Sequence, residues 1–227
     1  MKVYEYSNKG GRDTNQDFVI SKILPSAAIF VVTDGMGGYS YGEIASRVVG
    51  ESIMDFVQLN INNLSPSKLL KDALAFANEC LMLKRLSLEV KHMGSVLSVL
   101  LVINNEAYMT WLGDSRIYIY RNGQEVYKTE DHSVVNELAK IKCLKTSDID
   151  KYASVVTRSI MGDENLGEIE VSHLSAENRD VFIICTDGFY KEIGIDLILK
   201  YNDSSKDDLD KKSESISDNY SFIKVEI

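Results

Sequence analysis

The sequence predicts an α+β fold built in layers, and three observations carry that prediction. Two amphipathic helical segments stand next to each other in the first half of the chain. A run of short strands separated by tight turns follows them, which makes strand neighbours antiparallel and argues against a doubly wound parallel sheet. The last apolar stretch, Phe222 to Val225, comes after a long polar run, so it has to return to a sheet formed earlier.

Taken in order, Gly10 and Gly11 punctuate a first polar segment, and Phe18 to Leu24 and Ala28 to Val32 read as short strands broken at Pro25-Ser26. From Tyr41 to about Leu59 the period changes: Ile44, Ala45, Val48, Val49, Ile53, Phe56 and Val57 fall on one helical face. Ser65-Pro66 supplies a cap and a proline for the first helical position, and Leu69, Leu70, Ala73, Leu74, Ala77 and Leu81 continue as a second helix. Strands are expected at Ser95 to Ile103, Ala107 to Leu112, Arg116 to Tyr120 and Glu125 to Lys128, with turns at Asn104-Asn105 and Asn122-Gly123. A third helix starts near His132 or Ser133 with Val134, Val135, Leu138 and Ala139 inward, Asp131 being a sufficient cap. A shorter helix is expected near Ser147 to Tyr152, then a return to strand up to Asp187. Ile195 to Leu199 suits one or two helical turns, and Asn202 to Asp218, dense in Asp, Lys and Ser, reads as a surface loop.

At 227 residues and 44% hydrophobic composition the chain suits one domain with one core. A formal net charge of -9 argues against nucleic acid as a partner and suits a site that holds divalent cations. Cys80, Cys143 and Cys185 stand at unrelated spacings, which indicates neither a disulfide framework nor a zinc ribbon. Met1 to Ser7 carries Lys2 and Glu5 with no apolar region behind it, and no apolar run reaches membrane-spanning length. A cytoplasmic protein without membrane contact is therefore expected.

Chemistry enters with a doubled triplet. Ala28 to Val32 leads into Thr33-Asp34-Gly35, and Val181 to Cys185 leads into Thr186-Asp187-Gly188. A buried strand that stops on aspartate and glycine delivers a carboxylate and an unobstructed backbone carbonyl to the sheet edge, both hard oxygen ligands suited to Mg²⁺ or Mn²⁺. Asp218, just before the last strand, is a candidate for the same place. Each Asp-Gly alone is most often an ordinary turn; the apolar run before each and their order with Asp218 raise the metal reading. Cysteine-dependent phosphate chemistry is excluded, because Cys80 and Arg85 are one residue too close and lie in a helical pattern.

The full set of motifs is Arg12-Asp13-Thr14-Asn15-Gln16-Asp17, Thr33 to Gly38, Gly113-Asp114-Ser115-Arg116, Thr129 to Ser133, Thr157 to Gly162, Thr186-Asp187-Gly188 and Asp218-Asn219. In order and spacing it resembles the metal-dependent serine/threonine protein phosphatases of the PPM or type 2C family, in their compact bacterial form. The resemblance runs from about Gly11 to Val225. It implies a central β-sandwich of two antiparallel sheets flanked by helices on both faces, a four-layer αββα arrangement. Residues 1–227 would form one catalytic domain, with a flap at about 133–156. It further implies hydrolysis of phosphoserine and phosphothreonine by a water activated between two Mg²⁺ or Mn²⁺ ions, which in such centres lie roughly 3.5 to 4 Å apart.

Residue by residue, the resemblance makes Asp34 the bridge between both ions, Gly35 a carbonyl ligand, and Asp187 and Asp218 ligands of the other ion. Arg12 matches the arginine that grips substrate phosphate, while Gln16 and Asp17 match a pair surrounding the metals. Asp114 matches an aspartate that in some members holds a third, labile ion together with Asp187. Phosphorylated proteins, substrates of a serine/threonine kinase, are the implied partners of a monomeric enzyme. Two departures are visible: members usually carry glutamate at Gln16, and several carry a histidine near the first Asp-Gly where this chain has Met36 and Tyr39. Those departures leave a second reading open, a weakly active or inactive relative that binds phosphoproteins as a regulatory module.

Overall fold

Two five-stranded antiparallel sheets face each other in the computed structural model of the chain, which describes every residue except 37–40, 142–150, 153 and 213–214. One sheet runs β2 (Asp17–Ile23), β3 (Ala27–Gly35), β4 (Ser95–Ile103), β5 (Glu106–Leu112), β8 (Ser172–Ser175). The other runs β1 (Lys2–Asn8), β10 (Tyr220–Glu226), β9 (Val181–Cys185), β6 (Arg116–Arg121), β7 (Gln124–Lys128). Side chains of a strand alternate between faces, and β3 shows where each face goes. Ala28, Phe30 and Val32 join Leu100, Ile117, Phe182 and Ile223 between the sheets. Ala27, Ile29 and Val31 pack outward on α1 (Gly42–Asn60) and α2 (Pro66–Ser87), through Val49, Ile53, Leu70 and Leu74. Both faces are buried, which is why these strands read as unbroken apolar runs.

On the far side, Tyr4, Tyr6, Ile183, Cys185 and Phe222 pack against Phe189, Ile198 and Leu209. Those three residues sit on α4 (Asp187–Glu192), α5 (Ile195–Lys200) and α6 (Lys206–Lys212), short helices that complete the fourth layer. The αββα sandwich implied by the resemblance is thus present, with α1 and α2 close to the bounds expected from their periodicity.

Several expectations need correction. The N-terminal polar segment contains β1, whose Tyr4 and Tyr6 alternate inward while its whole length pairs with β10; the charged residues between them had masked the alternation. β5 and β6 are not hairpin neighbours: the chain crosses from one sheet to the other at Gly113-Asp114-Ser115. Ser65 makes no side-chain cap on α2, although Pro66 does open it. Helix α3 (Val134–Lys140) buries none of its residues, so Val134, Val135, Leu138 and Ala139 do not form an inward face. Its cap is Ser133, which accepts from the Asn136 amide, because the carboxylate of Asp131 is engaged by Arg116 at 2.7 Å on both oxygens. The helix expected near Ser147 to Tyr152 lies largely outside the described residues.

Residues 157–171 form no strand beyond a single bridge of Ile160 to Ser95, and side chains of α2 bond the backbone at 161–163 instead. Arg85 donates to the carbonyls of Met161 and Gly162 at 2.8 and 2.9 Å, and Asn78 bonds the Gly162 amide and the Asp163 carbonyl. The run from Asn202 to Asp218 is not simply a loop: it holds a 3₁₀ turn at Asp203–Ser205 and then α6, and buries Leu209 and Ile216 beneath the aromatic cluster. If that docking stabilises the layer, Leu209→Ala lowers unfolding free energy by about 2–4 kcal/mol in urea titrations. A loss of only a few tenths would show that the segment is loosely laid on the surface.

Candidate metal centre

The two sheets open at one end into a cleft of about 500 Å³, lined among others by Arg12, Gln16, Asp34, Asp114, Asp187 and Asp218. Each arrives on a different piece of chain. Asp34 lies inside β3, which runs on through Gly35 and does not end before the aspartate, and Asp17 opens β2 directly opposite it in the ladder. Asp187 is the first residue of α4 after β9. Asp218 precedes β10, the strand paired to β9, and Asp114 sits on the crossover between the sheets.

Backbones close on both Asp-Gly steps. A methyl group at Gly35 would stand 2.2 Å from the carbonyl oxygen of Gly42, at the start of α1. One at Gly188 would stand 2.1 Å from that of Asn219. Glycine is required at both because no heavy atom fits at those distances. The two threonines before them differ in use. Thr33 ties β3 to α1 by donating to the Ser46 carbonyl at 2.9 Å, whereas Thr186 donates to Oδ2 of Asp17 at 2.9 Å and accepts from the Ser221 amide.

Asn219 is a site residue whose role the sequence did not reveal. It is buried; its Oδ1 accepts from the Gln16 amide at 2.8 Å, and its Nδ2 donates to the carbonyls of Lys9 and Thr14. It thereby staples the loop carrying Arg12 and Gln16 to the strand that follows Asp218. Arg12, 56% exposed at the rim, places its planar fork on Asp218, with Nε and Nη2 at 2.9 and 3.0 Å from the two carboxylate oxygens. Lys191 holds Asp187 at 2.7 Å.

The acids raise one another. Burial, together with the charges of Asp187 and Asp218, pushes Asp17 from the ordinary 3.8 up to about 7. Burial and Asp187 push Asp114 to about 6, and burial with the charges of Asp17, Asp187, Asp114 and Asp218 drives Asp34 well above its ordinary value. Ser221 lies near enough to Asp17 to ease its ionisation, but its hydroxyl is committed to Ser7 at 2.8 Å, and Oδ1 of Asp17 is buried with no hydrogen-bond partner among the described residues. A buried orphan oxygen in an acid-rich cleft is the environment a hard divalent cation relieves. Among the described residues no three His, Cys, Asp or Glu side chains already close on one point; Arg12 and Lys191 hold two of the carboxylates instead. By charge and donor type the residues fit Mg²⁺ or Mn²⁺.

Residues 6–221 match the family Protein phosphatase 2C. The protein phosphatase PhpP of Streptococcus pneumoniae is 28% identical over 182 residues, which cover 78% of this chain and 74% of PhpP. The crystal structure of the Mycobacterium tuberculosis serine/threonine phosphatase PstP/Ppp superposes with a TM-score of 0.81 at 22% identity, covering 100% of this chain and 98% of the other. A structure of the PstP catalytic domain in complex with two manganese ions superposes with a TM-score of 0.78 at 22% identity, over 98% of this chain and 96% of that one. The chain belongs to the protein phosphatase 2C family. It is accordingly a protein phosphatase, a hydrolase, with the sandwich described above.

The raised acids set a sign for pH dependence in metal-free protein. A carboxylate whose folded value lies above its unfolded one binds more protons when folded, so its contribution to stability is lost as pH rises through the folded value. With a chelator present, the melting temperature should fall between about pH 5 and pH 7.5 through Asp17 and Asp114. Asp17→Asn should flatten that fall and raise the pH 7.5 midpoint by roughly 2–4 °C per kcal/mol recovered. A midpoint that climbs with pH in the chelated wild type would contradict the assignment.

Proposed function

We propose that this chain removes phosphate from phosphoserine and phosphothreonine in proteins at a binuclear Mg²⁺ or Mn²⁺ centre. Asp34, the Gly35 carbonyl, Asp187 and Asp218 hold the ions, with Gln16 and Asp17 around them. The observation that carries the reading is the buried oxygen of Asp17, which has no partner among the described residues and stands opposite Asp34, behind a cleft lined by Asp34, Asp114, Asp187 and Asp218. Two such ions, when bound, supply Lewis-acid stabilisation of phosphoryl charge and a water of lowered pKa.

The chain's own residues do the rest. Arg12 is exposed and carries paired donors, the geometry that suits a phosphate better than a point charge would. With Asp218 engaged by an ion, the fork that now meets its carboxylate would be available to phosphate. Water adds to phosphorus in line with the ester oxygen, the P–O bond to the seryl or threonyl oxygen breaks, and that oxygen takes a proton, giving inorganic phosphate and the free hydroxyl. No histidine lines the described cleft, so the proton comes from solvent in the site. Ser154 and Val156 line the cleft, which supports 133–156 as a flap that screens phosphoproteins. A single catalytic domain over 1–227, a cytoplasmic setting, a monomeric state and a kinase as signalling counterpart belong to the same proposal. Among the described residues no helix is long and apolar enough to cross a membrane.

Hydrolysis of a phosphothreonine peptide with Mn²⁺ tests the reading. Asp34→Asn should reduce kcat at least 10²-fold and a chelator should abolish turnover; wild-type turnover no higher than that of Asp34→Asn would leave the phosphoprotein-binding module as the better account. Arg12→Ala should mainly raise KM, and a loss confined to kcat would contradict its role as a phosphate grip. Gln16→Glu should tighten Mn²⁺ binding by adding a charge at the cleft, and an unchanged dissociation constant in calorimetry would remove Gln16 from the ion surroundings.

A further inference from the structure

Lys191 belongs to none of the motifs and does not line the cleft, yet it stands between two of its acids. Its Nζ lies 2.7 Å from Oδ2 of Asp187, one turn earlier on α4, and 3.6 Å from Oδ2 of Asp114 on the crossover between the sheets. Both carboxylates are well sheltered, at 19% and 11% side-chain exposure, and the one ammonium lies within ion-pair distance of each.

The partners are held in place from behind. Tyr190, next to Lys191, donates its hydroxyl to the Asp114 carbonyl at 3.1 Å. The Arg116 guanidinium lies 3.6 Å from the centre of the Tyr190 ring and is itself clamped bidentate by Asp131. Helix and crossover are thereby locked together, and the ammonium has a fixed pair of oxygens to meet.

We propose that Lys191 is a built-in cation for the Asp114–Asp187 pair, so that in this protein the pair takes up no metal ion and the centre is limited to two. The inference rests on the binuclear reading above. Charge argues for it. Among the described residues the ion pairs made by Asp17, Asp34, Asp114, Asp187 and Asp218 are those with Arg12 and Lys191, which leaves three negative charges for two divalent ions. A further divalent ion would have to expel the ammonium, and with two ions bound the five carboxylates and Arg12 would leave it no net negative charge to neutralise. Lys191 meets Asp187 through Oδ2, which leaves Oδ1 for the centre.

Counting bound Mn²⁺ by calorimetry and by electron paramagnetic resonance of the free ion tests this without relying on turnover. The wild type should bind two ions. Lys191→Gln should bind three, Lys191→Arg should stay at two, and adding Asp114→Asn to Lys191→Gln should return the count to two. Asp114→Asn alone should leave the wild-type count at two, which keeps the test sharp should Lys191→Gln prove poorly folded. Three ions in the wild type, no extra ion in a folded Lys191→Gln, or a drop to one in Asp114→Asn would each overturn the proposal. A wild type that binds no Mn²⁺ would remove the metal-centre reading itself, and this inference with it.

Discussion

Like-charge crowding of five aspartates at one end of a β-sandwich is the constraint on which the rest of this structure depends. Burial and the neighbouring acids disfavour the charged forms of Asp17, Asp34 and Asp114, whose proton affinities are raised accordingly. Such a cluster does not persist in a core unless something rigid holds it. The rigidity comes from sheets whose central strands β3 and β4 are buried on both faces and from backbone contacts so close that Gly35 and Gly188 admit no side chain. Fold stability and site chemistry are therefore opposed locally and reconciled by the sandwich as a whole.

The same constraint explains the cations around the cluster. Arg12 and Lys191 each neutralise one acid, but in different ways. Arg12 is an exposed rim residue on a loop stapled by Asn219, and its bond to Asp218 is one it can leave. Lys191 stands on a helix braced through Tyr190, Arg116 and Asp131, and its bond is part of the scaffold. One cation is an exchangeable occupant and the other a fixture.

Much of this was legible in the sequence because the pattern and the chemistry coincide at the acids. The strands leading to Asp34 and Asp187 are apolar on both faces, and a run of that kind ending on Asp-Gly is visible without coordinates. Helices α1 and α2 announce themselves by their period. What escaped had its reason elsewhere in the chain. β1 is polar by composition and is a strand because β10 offers its edge. Just past the bridge of Ile160 to Ser95, the backbone of residues 161–163 is bonded by Arg85 and Asn78, far earlier in sequence. Asn219 and Lys191 look like ordinary polar residues until the loop and the crossover they touch are brought beside them. Local pattern does not encode such partnerships.

The place of β10 has a temporal consequence. It sits inside its sheet, flanked by β1 from the start of the chain and by β9. A nascent chain that has emerged only as far as β9 has a gap between those two strands and lacks both Asp218 and the Asn219 staple. Long-range pairing of this kind is slow to close, so the cleft is completed only when β10 has inserted, and a chain that has emerged only to β9 has not yet gathered its acids.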